Sequence, residues 1–210
     1  MYVSTSFGTT RAEAMDFLAR ADFGDLVSVG PDGLTSTPLP LLYQPSPDEG
    51  LGVVVMHLAR NNDHWRHADG HEGLLIIRPL DGYVTPRWYP SKAEHGRVVP
   101  TWDYEVAHVR GRLTVHDDVD WLAEAVRSLT DRHEGRRPDP WSVDDAPPKY
   151  IEGQLRAIVG LELAVSAVEL KAKMSQNRPQ RDIDGVIEGL DADGRGQLAR
   201  AVEARRPVSD

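Results

Sequence analysis

Cysteine is absent from this 210-residue chain. Its absence excludes disulfide frameworks, thiolate zinc sites and cysteine nucleophiles. Long apolar runs are also missing, since no stretch approaches the ~20 residues that a membrane-spanning helix requires. Residues 1–15 lack the charged and apolar regions of a secretory signal. Together these absences predict a cytoplasmic protein with no membrane segment.

Positive charge is in short supply, because 24 Lys and Arg residues stand against 33 Asp and Glu residues, a net charge of −9. Such a balance disfavours nucleic-acid binding, which depends on neutralising phosphates. The acids are concentrated in residues 116–146, where nine acidic residues accompany four arginines. The segment Lys171–Arg181 carries four cations before the first acid, Asp182. Any polyanion would have to bind at that short basic segment.

Glycine-rich phosphate loops are missing as well. No Gly-x-Gly-x-x-Gly follows a predicted strand, and no Walker-type loop occurs, so dinucleotide and triphosphate folds lose support. The apolar patterns instead predict six or seven strands joined mostly by short turns, with helices between and after them. This order favours an α+β, mainly β protein built on an antiparallel barrel with flanking helices.

A hairpin with a proline-interrupted second strand is predicted near the N-terminus. Leu26–Val29 and Leu34–Tyr43 flank a Pro-Asp-Gly turn. Pro38 and Pro40 stand two apart in the second strand, so their missing N–H groups lie on one side. That side of the strand is therefore an edge, or it opens onto a ligand.

The remaining elements follow from apolar periodicity, caps and turn residues. A capping box at Thr10–Glu13 begins a helix, Asn61 or Asn62 begins a short helix ending near Ala68, and a bulge is expected near Ser166. Further strands are predicted at Leu51–His57, Leu74–Ile77, Tyr83–Trp88, Asp103–His116 and from Leu161 to Leu170. Asp117-Asp118 is predicted to cap an amphipathic helix that carries Trp121, Leu122, Ala125, Val126 and Leu129 on one side. Further helices are predicted at Pro148–Val159 and as two segments after Pro179.

Aromatic residues are concentrated in one segment, which reads GYVTPRWYPSKAEHGRVVPTWDYEVAHVRG from Gly82 to Gly111. Rings offer stacking faces, and cations such as Lys92 and Arg97 neutralise phosphate. A compact surface loop packed by its own aromatics is the alternative. The number of rings and cations favours contact with a flat, anionic ligand.

Two further segments suit anion binding. In His57–Asn62 a strand passes into a helix N-terminus, where free N–H groups and Arg60 favour phosphate; an Asn-capped helix with an exposed arginine remains equally open. In Lys171–Pro179 the cations either close a ligand pocket, present charge to a polyanion, or belong to a solvated strand end.

Metal and hydrolase sites are disfavoured. His64, His67 and His71 have the spacing of one helical face, but the set contains no carboxylate and Gly70 should end the helix first. Ser91 and His95 are close in sequence, but nothing marks an orienting acid or an oxyanion hole. No metal site and no catalytic residue are predicted.

Parts of the sequence resemble a known family. Three segments resemble PaiB-type proteins, which are FMN-binding negative transcriptional regulators. These segments are YVTPRWYPSKAEHGRVVPTWDYEVAHVRG, ELKAKMSQNRPQRDIDGVIEGL and the shorter HLARNNDHW. The resemblance covers nearly the whole chain. It implies a homodimeric split β-barrel like that of flavin reductases and pyridoxamine-phosphate oxidases, with FMN at the subunit interface.

The resemblance also implies domains and site residues. Residues 1–174 would form the split-barrel domain with inserted helices, and residues 175–210 a C-terminal helical extension packed on it. The FMN phosphate would meet Arg60, Asn61 and Asn62, with Lys92 supplied by the partner chain. The flavin ring would meet the strand containing Thr37 and Leu39, together with His57 and Trp102.

Three functions remain open from the sequence. The protein is a flavin-sensing repressor, an FMN-dependent oxidoreductase in which the flavin carries the electrons, or a cofactor store. No helix-turn-helix and no basic recognition helix are recognisable, so DNA binding rests on the family name alone. Another planar ligand such as haem is also compatible with the sequence.

Overall fold

A computed structural model describes residues 1–207. The described chain contains six strands and six α-helices. The strands are β1 (Phe23–Gly30), β2 (Gly33–Gln44), β3 (Val53–Ala59), β4 (Glu72–Val84), β5 (Thr101–His116) and β6 (Ile158–Lys173). The helices are α1 (Arg11–Arg20), α2 (Ser91–His95), α3 (Val119–Glu134), α4 (Pro148–Arg156), α5 (Gln180–Ala192) and α6 (Gly196–Ala204).

The chain forms two compact units, each discontinuous in sequence. The first, here called the barrel unit, comprises Met15–Ile77 and His108–Val168. The second, here called the motif unit, comprises Met1–Ala14, Arg78–Ala107 and the chain from Glu169 onward. This grouping by compactness differs from the predicted division after residue 174, which stays a prediction.

The barrel unit is built on a closed antiparallel barrel, as the sequence predicted. Its strand order is β1-β2-β3-β6-β5-β4, and Asp25–Val27 pair with Leu74–Ile76 to close it. Apolar side chains that alternate along the strands fill the interior, among them the fully buried Leu26, Leu41, Met56, Leu161 and Leu163. The predicted hairpin is confirmed, with Gly33 at φ 107° after the turn.

Helix α3 covers part of the barrel through one apolar face. Leu122, Ala125 and Leu129 are buried at helical spacing. The helix begins where the sequence predicted, because the Asp118 side chain accepts a hydrogen bond from the Trp121 N–H and caps it.

In the motif unit the helical hairpin of α5 and α6 packs on its own apolar core. Ile183, Val186, Leu190, Leu198 and Val202 are buried there together with Val84, Tyr89 and Met174. Gly185 and Gly189 make the contact close, because a Cβ at either position would overlap Trp88. The predicted pair of C-terminal helices is thus confirmed.

Element boundaries differ from the sequence prediction at several places. Leu74–Ile77 and Tyr83–Trp88 were predicted as separate strands, but β4 is continuous over Glu72–Val84, and Pro86–Trp88 forms a 3-10 turn capped by Thr85. Helix α4 ends at Arg156 rather than Val159, since Ile158 already pairs with Ala59 in the β6–β3 ladder. The segment Asp63–His67 is a single short 3-10 helix.

Candidate functional site

The barrel opens where β2 carries its prolines. Residues 33–40 of β2 pair with β1, but pairing with β3 is confined to Leu41–Gln44 against Val53–Met56. The Leu41 N–H donates to the Asp22 carbonyl on the β1 side, so by alternation the Pro38 and Pro40 nitrogens face away from β1. Missing N–H groups therefore end the β2–β3 ladder, as predicted from the sequence. This opening is called the split below.

Thr37 and Leu39 lie on β2 beside the split, but their side chains point inward. Thr37 is 7% exposed and Leu39 is 3% exposed, and both share the buried face with Leu41. The Thr37 Oγ1 is 2.8 Å from His64 Nδ1 and accepts a hydrogen bond from Asn62 Nδ2 at 3.1 Å. A ligand in the split would therefore reach neither of these side chains, and the backbone groups that face it belong to Ser36, Pro38 and Pro40.

His64 joins three elements of the barrel unit from beneath the split. It is 5% exposed, and its Nε2 is 2.7 Å from Ser28 Oγ. Burial lowers the pKa of His64, which favours a neutral ring. From the sequence, His64 was a candidate only as a metal ligand, but in the structure both of its ring nitrogens lie within hydrogen-bond distance of hydroxyl groups. Its role is to hold β1, β2 and the start of the 3-10 helix together.

His57 is near the end of β3, with Gly160 of β6 as its ladder partner. Its Nδ1 is buried and has no hydrogen-bond partner in the described chain. Burial lowers the pKa of His57, so the ring is neutral near pH 7. A buried ring nitrogen without a partner is costly, and a bound group that hydrogen-bonds to it would remove that cost.

Arg60 is held by a carboxylate that the sequence did not connect with it. Its Nη1 and Nη2 donate to Asp117 at 3.0 and 2.5 Å. Its Nε donates to the carbonyl of Arg156 at 2.7 Å, and its Nη2 also donates to that of Ile158 at 3.0 Å. The ion pair with Asp117 raises the pKa of Arg60. Four of the five guanidinium N–H donors are therefore engaged, which leaves one for a phosphate.

Asn61 and Asn62 follow at the start of the 3-10 helix. The Asn62 Oδ1 accepts from the His64 N–H at 3.1 Å, so it caps this helix as predicted. Asn61 is exposed beside it. A 3-10 helix of five residues has little macrodipole, so an anion would depend here on individual donors.

The other predicted contacts belong to the motif unit. Lys92 is exposed on α2. Trp102 on β5 is 46% exposed; its Nε1 donates to Asp81 at 2.9 Å and its ring meets that of Tyr83 edge-on, with centroids 6.1 Å apart. The Lys173 Nζ donates to the Trp102 carbonyl at 2.5 Å, which fixes the strand that carries the ring.

The two longer motif segments meet in the motif unit. The buried Asp182 accepts from the N–H and the hydroxyl of Ser91, at 3.1 and 2.7 Å. The Arg178 guanidinium lies 4.6 Å above the centre of the Tyr89 ring. Tyr89 is 2% exposed, and its hydroxyl makes no hydrogen bond of good geometry in the described chain, although the Arg178 guanidinium is near enough to oppose the effect of burial on its pKa. Burial raises the pKa of Tyr89, so the hydroxyl stays protonated.

A second buried carboxylate anchors the basic segment. Asp103 is fully buried and accepts from Ser175 Oγ at 2.6 Å, and Lys173 Nζ lies 3.4 Å from it. Burial raises the pKa of Asp103 against the opposing effect of these two partners. Ser175 has a left-handed φ of 58°, an uncommon conformation for a non-glycine residue, and the bond to Asp103 holds it there.

No group of three or more His, Asp or Glu residues in the described chain is arranged to hold a metal ion. Within residues 1–207, every helix is too short or too polar to cross a bilayer.

The donors at the split are compatible with a flavin nucleotide. The edge of β2 offers peptide groups without strand partners, and Asn61 offers an exposed amide. Peptide and amide groups of this kind hydrogen-bond to the polar edge of a flat ring, while the remaining Arg60 donor suits a phosphate oxygen. The residues present therefore fit FMN.

Comparisons with known proteins agree with this geometry. A family model described as "Putative FMN-binding domain" matches residues 1–167. The "Protease synthase and sporulation protein PAI 2" of Bacillus subtilis is 30% identical over 90% of this chain and 89% of its own length.

Solved structures share the fold. The FAD and heme binding protein from Mycobacterium smegmatis aligns with a TM-score of 0.56 at 20% identity, covering 80% of this chain and 73% of that one. The flavocytochrome Anf3 from Azotobacter vinelandii aligns with a TM-score of 0.51 at 15% identity, covering 80% and 74%. The predicted split-barrel fold is thereby confirmed. The chain belongs to the PaiB-type family of FMN-binding-domain proteins, as its motif segments predicted.

Proposed function

We propose that FMN lies along the unpaired edge of β2, in the split. One observation carries this placement: the β2–β3 ladder stops at Leu41, which leaves peptide groups of residues 33–40 without strand partners on that side. Polar backbone groups without partners are rare away from water, and a ligand edge satisfies them.

The phosphate would be held by Asn61, Asn62 and the remaining Arg60 donor, with Lys92 added from a second copy. The ring would contact the β2 edge and the Nδ1 of His57, and Trp102 would supply a stacking face. Bound FMN supplies electron or hydride transfer. The chain's own residues would bind and orient the FMN, and the neutral ring of His57 would form one hydrogen bond with the flavin.

A homodimer would complete this site. The outer face of the β1–β2 hairpin carries three exposed apolar side chains beside the exposed Asp25 and Ser36: Phe23, Val29 and Leu34 are 58%, 63% and 79% exposed, and Val29 pairs directly with Leu34. Exposed apolar faces of this kind mark interaction sites. A second copy on this face would bring its own residues beside the proline edge. The absence of cysteine favours the cytoplasm as the place where this dimer acts.

Two roles for the bound flavin are proposed. The name of the Bacillus relative connects that protein with protease synthesis and sporulation, and a repressor role here is an analogy to it. The basic segment gives DNA limited support, since Lys173 contacts Asp103 and Arg181 is paired with Glu94, which leaves Lys171 and Arg178. An FMN-dependent oxidoreductase that does not bind DNA directly is the alternative role.

Three measurements test this proposal. Sedimentation with and without FMN should give a dimer, and Leu34→Glu should reduce both dimer formation and flavin binding; a monomer that binds FMN fully would contradict the shared site. FMN-loaded protein should oxidise NADH or NADPH, a reaction that neither a pure repressor nor a cofactor store requires. Tight, specific promoter binding at physiological salt would overturn the oxidoreductase role.

A further inference from the structure

A cavity of about 350 Å³ lies in the barrel unit between α3, α4 and the Val143–Asp145 turn. Its volume is within the range of small-molecule sites. Seven of the residues that line it are apolar: Ala123, Val126, Val143, Ala146, Pro148, Ile151 and Leu155. None of the residues proposed to hold FMN lines this cavity.

The cavity lies beside the apolar face of α3. Leu122, Ala125 and Leu129 are buried on that face. Val126 and Ala123 flank these positions and line the cavity together with Ile151 and Leu155 of α4. Since Ala123 has a small side chain, the two helices leave space between them.

The charged residues of the lining are two acids and one base. Arg127 forms a bidentate ion pair with Asp144, with both N–O distances at 2.9 Å, so these two charges compensate each other. Glu152 has no hydrogen bond or ion pair within the described chain and is exposed. Within the lining, Glu152 is therefore the one charge without an ion-pair partner, while the exposed Lys149 and Arg156 lie one turn before and after it on α4, outside the lining.

We infer that this cavity binds an amphiphilic monocation, a ligand with an apolar body and one ammonium group. The apolar body would displace water from the seven apolar residues, and the ammonium group would pair with Glu152. An anion of the same shape would meet an unpaired carboxylate. This inference does not depend on FMN.

Three probes of one shape separate the effects of charge and of apolar burial. Binding of 4-phenylbutylammonium, 4-phenylbutan-1-ol and 4-phenylbutyrate to the full-length protein is measured by calorimetry. We expect the cation to bind about two- to fivefold more tightly than the alcohol, the range for a partly exposed ion pair. The carboxylate should bind most weakly. Equal affinities, tighter binding of the carboxylate, or no binding of any probe would overturn the inference.

Two variants locate the site. Glu152→Gln should remove the preference for the cation and leave the alcohol unchanged, whereas Glu188→Gln, an exposed acid on α5, should change neither. Ala123→Leu should fill the cavity and abolish binding of both probes with the circular dichroism spectrum retained. Undiminished binding in Ala123→Leu, or dissociation of a dimer by it, would contradict a ligand cavity, because the groove would then be elsewhere or occupied by a second copy.

Discussion

Replacing Gly185 by alanine tests how α5 holds the segment that contains Lys92. Trp88 packs against the glycine face of α5, and a Cβ at position 185 would overlap the Trp88 carbonyl oxygen and lie 3.3 Å from Pro90 Cδ. A backbone oxygen cannot rotate away as a side-chain end can. The helix or the motif segment would therefore have to move.

Two opposing effects set the size of the change. Alanine in a helix interior gains about 1 kcal/mol of intrinsic propensity over glycine. Overpacking costs about 1–3 kcal/mol. The expected net loss in the free energy of unfolding is roughly 1–2 kcal/mol, because the overlap involves the backbone. Since Ser91 and Lys92 lie only three and four residues after Trp88 in the same motif segment, FMN affinity should also fall several-fold.

A matched control is available in α4. A Cβ on Gly153 would meet no heavy atom within 4 Å, so Gly153→Ala should stabilise the protein by about 0.5–1 kcal/mol. The free energy of unfolding of both variants and of the natural chain is measured by urea unfolding, provided that it depends on urea concentration with the same slope in all three. If Gly185→Ala were stabilised as much as Gly153→Ala, the close packing of α5 on Trp88 would be refuted.

Three other perturbations follow from the site. Arg60→Ala should weaken FMN binding about tenfold or more because it removes the charge-assisted phosphate contact proposed for this residue, whereas Asp117→Asn should preserve or tighten binding by freeing the guanidinium; unchanged FMN affinity in Arg60→Ala would refute that contact. Burial lowers the folded-state pKa of His57 and His64. Below about pH 6.5 the unfolded chain therefore takes up protons that the folded chain does not, so the free energy of unfolding should decrease as the pH is lowered. If the double variant His57→Gln, His64→Gln lost stability with the same slope between pH 7 and 5, the two histidines would not be the cause. Tyr89→Phe should leave stability unchanged or raise it by up to ~1 kcal/mol, since the buried hydroxyl makes no hydrogen bond of good geometry within the described chain; a clear loss of stability would show that the neighbouring Arg178 guanidinium does bond to it.

Local patterns predicted most of the fold because they act over short distances. The turn before Gly33, the Asp118 cap and the paired prolines each determine backbone geometry within a few residues. Boundaries were wrong where pairing with a distant strand decides them. Ile158, for example, follows a helix pattern in sequence, but its pairing with Ala59 places it in β6.

The site was less predictable because its contacts join residues far apart in sequence. Nothing in the spacing of Arg60 indicates that Asp117 neutralises it, since the two side chains meet only when β3 and the end of β5 are in place. The same holds for Asp182 with Ser91 and for Arg178 with Tyr89. The abundance of aromatics and cations did indicate which segments matter.

The most direct test compares FMN with riboflavin, which has the same ring but no phosphate. The purified protein is titrated with each, and its absorption spectrum is recorded before and after cofactor extraction. The account predicts a flavin spectrum, one FMN per chain and clearly weaker binding of riboflavin, because phosphate contacts at residues 60–62 contribute to affinity. Equal affinity for the two ligands, no retained flavin, or a haem band in place of the flavin spectrum would contradict it.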